Sequence, residues 1–412
     1  MIDDFVEHKR SESPVEENLV TVVDEFPGIE PDTTDDQTPE SPAKPEAESP
    51  KPKSSWYKLS WPPNRNEWIL SVVLVLVAAG CIGYYLHSHL QSASFKLTIY
   101  SPVHQIVVTT VPSTLTGLPV SPTVNQRPVT AVMIENSTDA RPQSGLAQAG
   151  VVFEALAEGG ITRFMAIYQD TQPSYIGPVR SARPYYISWE LGFNASYAHV
   201  GGSPEALTDI TNWGVHDLNQ FYNGNSYERI SSRDAPHNVY TSVAQLNDLE
   251  ISKGYTSSSF TGFPRNAKAT PAKTPTATSI ALTFSSSDYN VNYTYDPTAN
   301  DYQRFMGGQP DIDVDANGNQ TQVAPKVVVV MIVPQSQGSL DATGAYYTEY
   351  ATVGNGPVYV FQDGNVVTGT WQKSSNNSQI TFTDSNGKVL KLDPGQTWIS
   401  VLGDASDVSY QT

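Results

Sequence analysis

The chain has 412 residues, enough for two or three domains, and carries 24 Lys and Arg against 42 Asp and Glu, a formal net charge of −18 at pH 7. So acidic a balance excludes a general nucleic-acid binder, because neutralising phosphates takes a basic face. A single cysteine, Cys81, excludes intramolecular disulfides and cysteine-built zinc sites, and an exported body without disulfides suits a bacterium.

The first 50 residues hold fifteen Asp or Glu against Lys9, Arg10 and Lys44. Like charge with repeated Pro, Ser and Thr leaves too little apolar surface to offset ordering entropy, so residues 1–66 are read as a disordered acidic tail. Its short apolar run, Leu19 to Val23, is either a docking point for a cytoplasmic protein partner or, the better account on this composition, a chance run in an unstructured tail.

Residues 68–86, from Trp68 to Leu86, contain no charge. At ~1.5 Å per residue they span roughly 28 Å, the thickness of a bilayer's hydrocarbon core, and predict one transmembrane helix. Lys51, Lys53, Lys58 and Arg65 precede it and only Lys96 follows nearby, which places the N-terminus in the cytoplasm and the remainder outside. Trp56, Tyr57, Trp61, Trp68, Tyr84 and Tyr85 supply interfacial rings at both ends. Val77-Ala78-Ala79-Gly80-Cys81 also matches a lipobox, but the long acidic leader and the apolar residues beyond Cys81 depart from a signal peptide.

Residues 87–112 read as a Ser-, Thr- and Val-rich stalk with a strand near Gln105 to Val111. Residues 266–279, without large apolar side chains, read as a linker dividing the exported body into halves of 113–265 and 280–412. In the first half strand-like runs (129–135, 151–156, 164–168, 197–200) alternate with helical stretches (181–191, 203–213, 242–251), which predicts an α/β or α+β domain. The second half offers strand runs at 280–284, 291–295, 327–333, 358–362, 366–371, 380–383, 389–392 and 398–402, with Asp363-Gly364 and Asn386-Gly387 as hairpin turns, and predicts mainly antiparallel β.

Several consecutive motifs carry a family resemblance: Thr116 to Pro119, Arg127 to Asn136, Ala140 to Leu146, Glu158 to Arg163, Ile176 to Arg183, His199 to Pro204 and Pro236 to Asn238, then more loosely Val353 to Gly356, Asp363-Gly364, Trp371 and Pro394 to Trp398. Through these, residues 113–405 resemble the YerB-like family of bacterial lipoproteins, two-domain proteins without an assigned reaction. The resemblance implies envelope anchoring.

Between residues 127 and 240 the seven Lys or Arg positions are all arginine. The planar fork of arginine suits bidentate contact with carboxylate or phosphate. Pairing with the eleven Asp and Glu of the same stretch accounts for them equally well. Gly177 to Arg183 reads as a turn before a helix, with Ser181 as cap and Arg180 and Arg183 three residues apart; Val200 to Glu205 reads as strand, Gly-Gly turn, Ser203 cap and Pro204 at the first helical position. Exposed helix N-termini attract anions. The candidate ligand residues are therefore Arg141, Glu158, Arg163, Arg180, Ser181, Arg183, His199, Ser203, Arg233, His237 and Asn238, with no catalytic residue, metal site or cofactor assigned. A satisfied structural role suits each histidine as well as phosphate binding does.

Asp313-Val-Asp315-Ala-Asn317-Gly318 opens like a calcium loop, but Ala324 stands where a bidentate Glu is needed, so a hairpin turn is the better account. Tyr346, Tyr347, Tyr350, Tyr359, Trp371 and Trp398 serve either as a sugar-binding face or as β core. The function expected is binding of an anionic envelope ligand, a phosphorylated lipid or cell-wall glycan, through arginines 141, 163, 180 and 183. The alternatives are a phosphotransferase on polyprenyl-phosphate-linked glycans, with Glu154, Glu158 or Asp170 holding Mg²⁺, or an envelope adaptor.

Overall fold

The computed structural model describes residues 65–90 and 109–412, residue 342 excepted. The acidic tail lies outside the described residues but for Arg65 and Asn66, as do residues 91–108 of the stalk and most of the strand expected there. The chain divides into two compact units, Met1–Ser101 and Pro102–Thr412.

The first unit contains helix α1 (Arg65–Leu90), longer at both ends than the uncharged run. Its stretch Trp68–His89 has a mean hydropathy of 2.4 and is apolar all round, with Leu70, Leu74, Val75 and Leu76 all exposed. Those 22 residues reach roughly 33 Å, which is long and apolar enough to cross a membrane. Cys81 is exposed within this helix.

The second unit is built on one ten-stranded sheet to which both halves contribute. Its order is Thr381–Asp384, Asn365–Lys373, Gly354–Gln362, Val327–Ile332, Thr397–Leu402, Val151–Leu156, Thr162–Tyr168, Thr130–Glu135, Ser196–Ala198 and His216–Asp217. The halves meet where Thr397–Leu402 pairs in parallel with Val151–Leu156. The central strands are buried at every position, as continuous apolar runs are when both faces of a sheet are covered. On one face Phe164, Trp398 and Val330 pack against Ile280, Tyr293 and Tyr302 of a second, five-stranded antiparallel sheet. On the other Phe153, Met165 and Ile399 pack against Tyr185, Tyr186 and Trp189 of α2 (Pro184–Leu191).

The coarse architecture is the expected one: α2, α3 (Pro204–Asn212) and α4 (Val243–Lys253) fall in the first half, and the second half is mainly β. What differs is their association, since the halves share a sheet. The connecting tract is also tied down, for Ala272 donates its N–H to the Asp363 carbonyl at 3.0 Å and Ala277 to that of Gly364 at 2.9 Å. A tract without apolar side chains still has backbone donors to satisfy.

Asp363 and Gly364 both have positive φ, 56° and 75°, and join Gln362 to Asn365 in the two-residue turn predicted there. Residues 389–392 form only isolated bridges instead of the expected strand. The strand Asp301–Met306 was not legible, because Arg304 occupies one of its three inward positions and breaks the apolar alternation.

Candidate functional site

The central strands Thr130–Glu135 and Thr162–Tyr168 place Glu135 opposite Arg163, and Glu158 follows the neighbouring strand, so acids and arginines collect at one end of the sheet. Glu158 accepts from Arg163 Nη2 at 2.6 Å and from Arg183 Nε at 3.0 Å and Nη2 at 2.6 Å. Burial works to raise the Glu158 carboxyl, but the two guanidiniums outweigh it and hold the group below its ordinary value. Arg163 Nη1 donates to the Ser181 carbonyl at 3.0 Å and Arg183 Nη1 to that of Ala182 at 2.6 Å. Beside this triad Glu135 meets Arg180 Nε at 3.2 Å and His237 Nδ1 at 2.9 Å, and accepts from Ser137 Oγ at 3.1 Å.

In front of Arg183 opens a cleft of about 320 Å³. One wall is made by the N-termini of α2 and α3; the other is the hairpin of Gln335–Leu340 and Tyr346–Tyr350. The hairpin is fastened to the main sheet's end by Thr348 N–H on the Ala157 carbonyl, 2.7 Å. Ser203 caps α3 by accepting the Ala206 N–H at 3.3 Å, and Pro204 takes the first helical position as predicted. Tyr185, Tyr347 and Tyr350 supply aromatic surface, with the Arg183 guanidinium 4.9 Å from the Tyr347 ring centre. Glu205 and Glu349 complete the lining; burial, then Asp209 and Glu349, push the Glu205 carboxyl up.

Among the residues predicted from sequence, Arg183 and Ser203 line this cleft, and Glu158, Arg163 and the Ser181 carbonyl form its support. Ser181 does not cap α2, because the helix starts three residues later at Pro184 with Arg183 in the cap position. His199 is fully buried, with Nδ1 2.7 Å from the Gly201 carbonyl and Nε2 2.9 Å from Asp217; it holds the Gly-Gly turn, and neither ring nitrogen is left over for a ligand. Arg233 pins a loop through the carbonyls of Asp139 at 3.2 Å and Pro142 at 2.6 Å, and Asn238 accepts from Arg229 at 2.9 Å. Arg141 lines a different cleft. Arg163 and Arg183 share Glu158, Arg180 pairs with Glu135 and Arg141 lies in another cleft, so the four arginines do not surround one anion.

The acids proposed to hold Mg²⁺ are already bonded within the protein. Glu154 is buried against Arg304 and Trp398, Glu158 carries two arginines, and Asp170 accepts from Ser113 Oγ at 2.6 Å and from Thr116. Asp315 accepts the N–H groups of Asn317 at 2.8 Å and Asn319 at 2.9 Å, which is turn chemistry. Trp371 and Trp398 are core residues, whereas Tyr347 and Tyr350 reach the cleft. Tyr185, Ser339, Glu205 and Glu349 were missed; Glu205, in the first turn after a predicted cap, carried the one available signal.

A mixed α/β half and a β half knit into one sheet, with a cleft at the helix N-termini, define a two-domain protein of the class expected. Residues 115–256 match the family model described as the N-terminal domain of a protein of unknown function (DUF3048), and residues 280–399 match the corresponding C-terminal domain. A relative from Bacillus subtilis (strain 168), called "Putative lipoprotein YerB", is 33% identical over 298 residues, covering 72% of this chain and 87% of the relative. The crystal structure of YerB protein from Bacillus subtilis superposes with a TM-score of 0.64 at 31% identity, over 74% of this chain and 100% of that one. The chain belongs to this YerB-like DUF3048 family.

Proposed function

We propose that the protein is a binding protein of the cell envelope, anchored by α1 with its N-terminus in the cytoplasm, and that the cleft before Arg183 holds a glycan bearing an anionic substituent. The length and apolarity of Trp68–His89 and the basic residues preceding it support the anchoring. The observation that carries the ligand reading is the convergence of the α3 N-terminus, Arg183 and the partly exposed Tyr347 and Tyr350 on one concave site. Arg163 and Arg183 share Glu158, which leaves one positive charge in excess at the floor for a singly charged substituent, while Glu205 and Glu349 at the mouth disfavour a dianion. Tyrosine faces stack on sugar rings, and Glu205 and Glu349 at the mouth accept hydroxyl donors.

The test is calorimetric titration of the full-length protein in detergent micelles with unphosphorylated wall-glycan fragments and with fragments carrying a singly charged phosphodiester. Tyr347→Ala should weaken binding at least tenfold, and the phosphorylated fragment should bind more tightly. Equal binding by wild type and Tyr347→Ala removes the site assignment; equal binding of the two fragments removes the anionic substituent.

A further inference from the structure

A second cleft, of about 480 Å³, lies between the loop following Thr130–Glu135 and the strands of the second half. Arg141 and Gln143 line it from the first half; Asp288, Met306, Pro310, Asp311 and Ile312 line it from the second, Asp311 being already paired with Arg304. Arg141 differs from the arginines behind the first cleft. Arg163, Arg180 and Arg183 each sit on a glutamate, whereas among the described residues no carboxylate lies within ion-pair distance of Arg141.

Its hydrogen bonds go to neutral acceptors: Nε donates to Asn136 Oδ1 at 3.1 Å and Nη2 to the Asn136 carbonyl at 3.2 Å. The guanidinium is stacked 5.0 Å from the Tyr289 ring centre, and burial pulls its pKa below the ordinary value. Asn136 consumes two of the five N–H donors, which leaves the end-on edge of Nη1 and Nη2, two parallel donors spaced for the oxygens of a carboxylate.

Gln143 is fixed beside it, since its Nε2 donates to the same Asn136 Oδ1 at 2.8 Å and to the Glu135 carbonyl at 3.1 Å. Those two bonds settle which amide atom is the oxygen. Gln143 is fully buried, and its Oε1 has no partner in the protein, an acceptor desolvated without compensation. A guanidinium bonded only to neutral acceptors, with Asp311 acting on it from beyond ion-pair distance, and an amide oxygen without its donor therefore meet on one asparagine.

We propose that this cleft is a second binding site, specific for a carboxylate with an N–H donor next to it, the chemistry of a peptide C-terminus. The carboxylate takes the Nη1–Nη2 edge of Arg141 and the neighbouring amide N–H serves Gln143 Oε1. Met306, Pro310 and Ile312 receive a small apolar side chain. Asp288 in the lining and the surplus of acids over bases along the body disfavour a phosphate dianion and leave a single negative charge tolerable.

The test uses the full-length protein in detergent micelles and fluorescently labelled acetyl-Ala-Ala, with a free carboxylate or as the C-terminal amide, read by fluorescence polarisation. The free acid should bind and the amide should bind at least tenfold more weakly. Arg141→Lys, which keeps the charge but removes the fork, should also cost at least tenfold in a chain that a cooperative thermal transition shows to be folded; Arg141→Ala should abolish binding. Inorganic phosphate displacing the peptide at lower concentration than acetate would reassign the edge to phosphate and overturn the carboxylate proposal. No binding of the free acid, equal binding of the amide, or unchanged affinity in Arg141→Lys also overturns it.

Discussion

Arg304, on a strand of the second half, donates through Nη2 to Glu154 Oε1 of the first half at 2.7 Å, and both side chains are wholly excluded from solvent. Asp311 takes the other Nη, Trp398 Nε1 donates to Glu154 Oε2 at 2.9 Å, and the guanidinium lies 4.4 Å from the Trp398 ring centre. Burial opposes the charge on Arg304, but its two carboxylates outweigh it and keep the group protonated. The cluster is the polar counterpart of the strand pairing that joins the halves.

Removing one member of such a pair strands a buried charge, at a cost of about 3–5 kcal/mol. Arg304→Met should therefore lower stability by that amount in urea unfolding, and Glu154→Gln in the same chain should restore part of it, since the amide oxygen still accepts from Trp398. A double variant less stable than Arg304→Met alone would contradict the coupling.

Glu250 of α4 is held at 2.8 Å by Thr130 Oγ1, and burial pushes its carboxyl up to about 7. The folded state thus holds this proton more tightly than the unfolded chain does. Its stabilising contribution is complete below the ordinary carboxylate value of 4.5 and is lost as pH rises through about 7. Denaturant unfolding at pH 5, 6, 7 and 8 should show Glu250→Gln removing a fall in stability on the order of 3 kcal/mol. An unaltered pH dependence in the variant would place the titration elsewhere.

Gly201 has φ +59°, and a Cβ there would stand 2.6 Å from the Phe221 ring. Gly201→Ala should cost about 1–2 kcal/mol from backbone strain and displacement of that ring. Gly224→Ala, with open space around it and no positive φ, serves as the neutral comparison. Matching urea midpoints for the two variants would refute the strain argument.

Cys81 is the chain's one thiol and lies inside α1, so it reports on the proposed anchoring without engineering. In intact spheroplasts a membrane-impermeant maleimide should leave it unlabelled, with full labelling after denaturation in detergent. Labelling before solubilisation would exclude a bilayer-embedded thiol, and mass spectrometry showing a diacylglycerol adduct would replace a spanning helix with a lipid anchor.

The sequence by itself determined what is encoded over a few residues. The uncharged run at 68–86, the strands at 151–156 and 327–333, the Asp363-Gly364 turn and the Ser203-Pro204 helix start were all legible. Each reflects local sterics, periodicity or transfer from water, which neighbouring residues suffice to specify. Only the tertiary structure decided that Thr397–Leu402 lies beside Val151–Leu156, that Arg304 points into the core, and that Glu158 takes Arg163 and Arg183 while Arg141 keeps none of the acids. Partners separated by many residues are chosen by which surfaces and charges must leave water together, and that choice has no local signature.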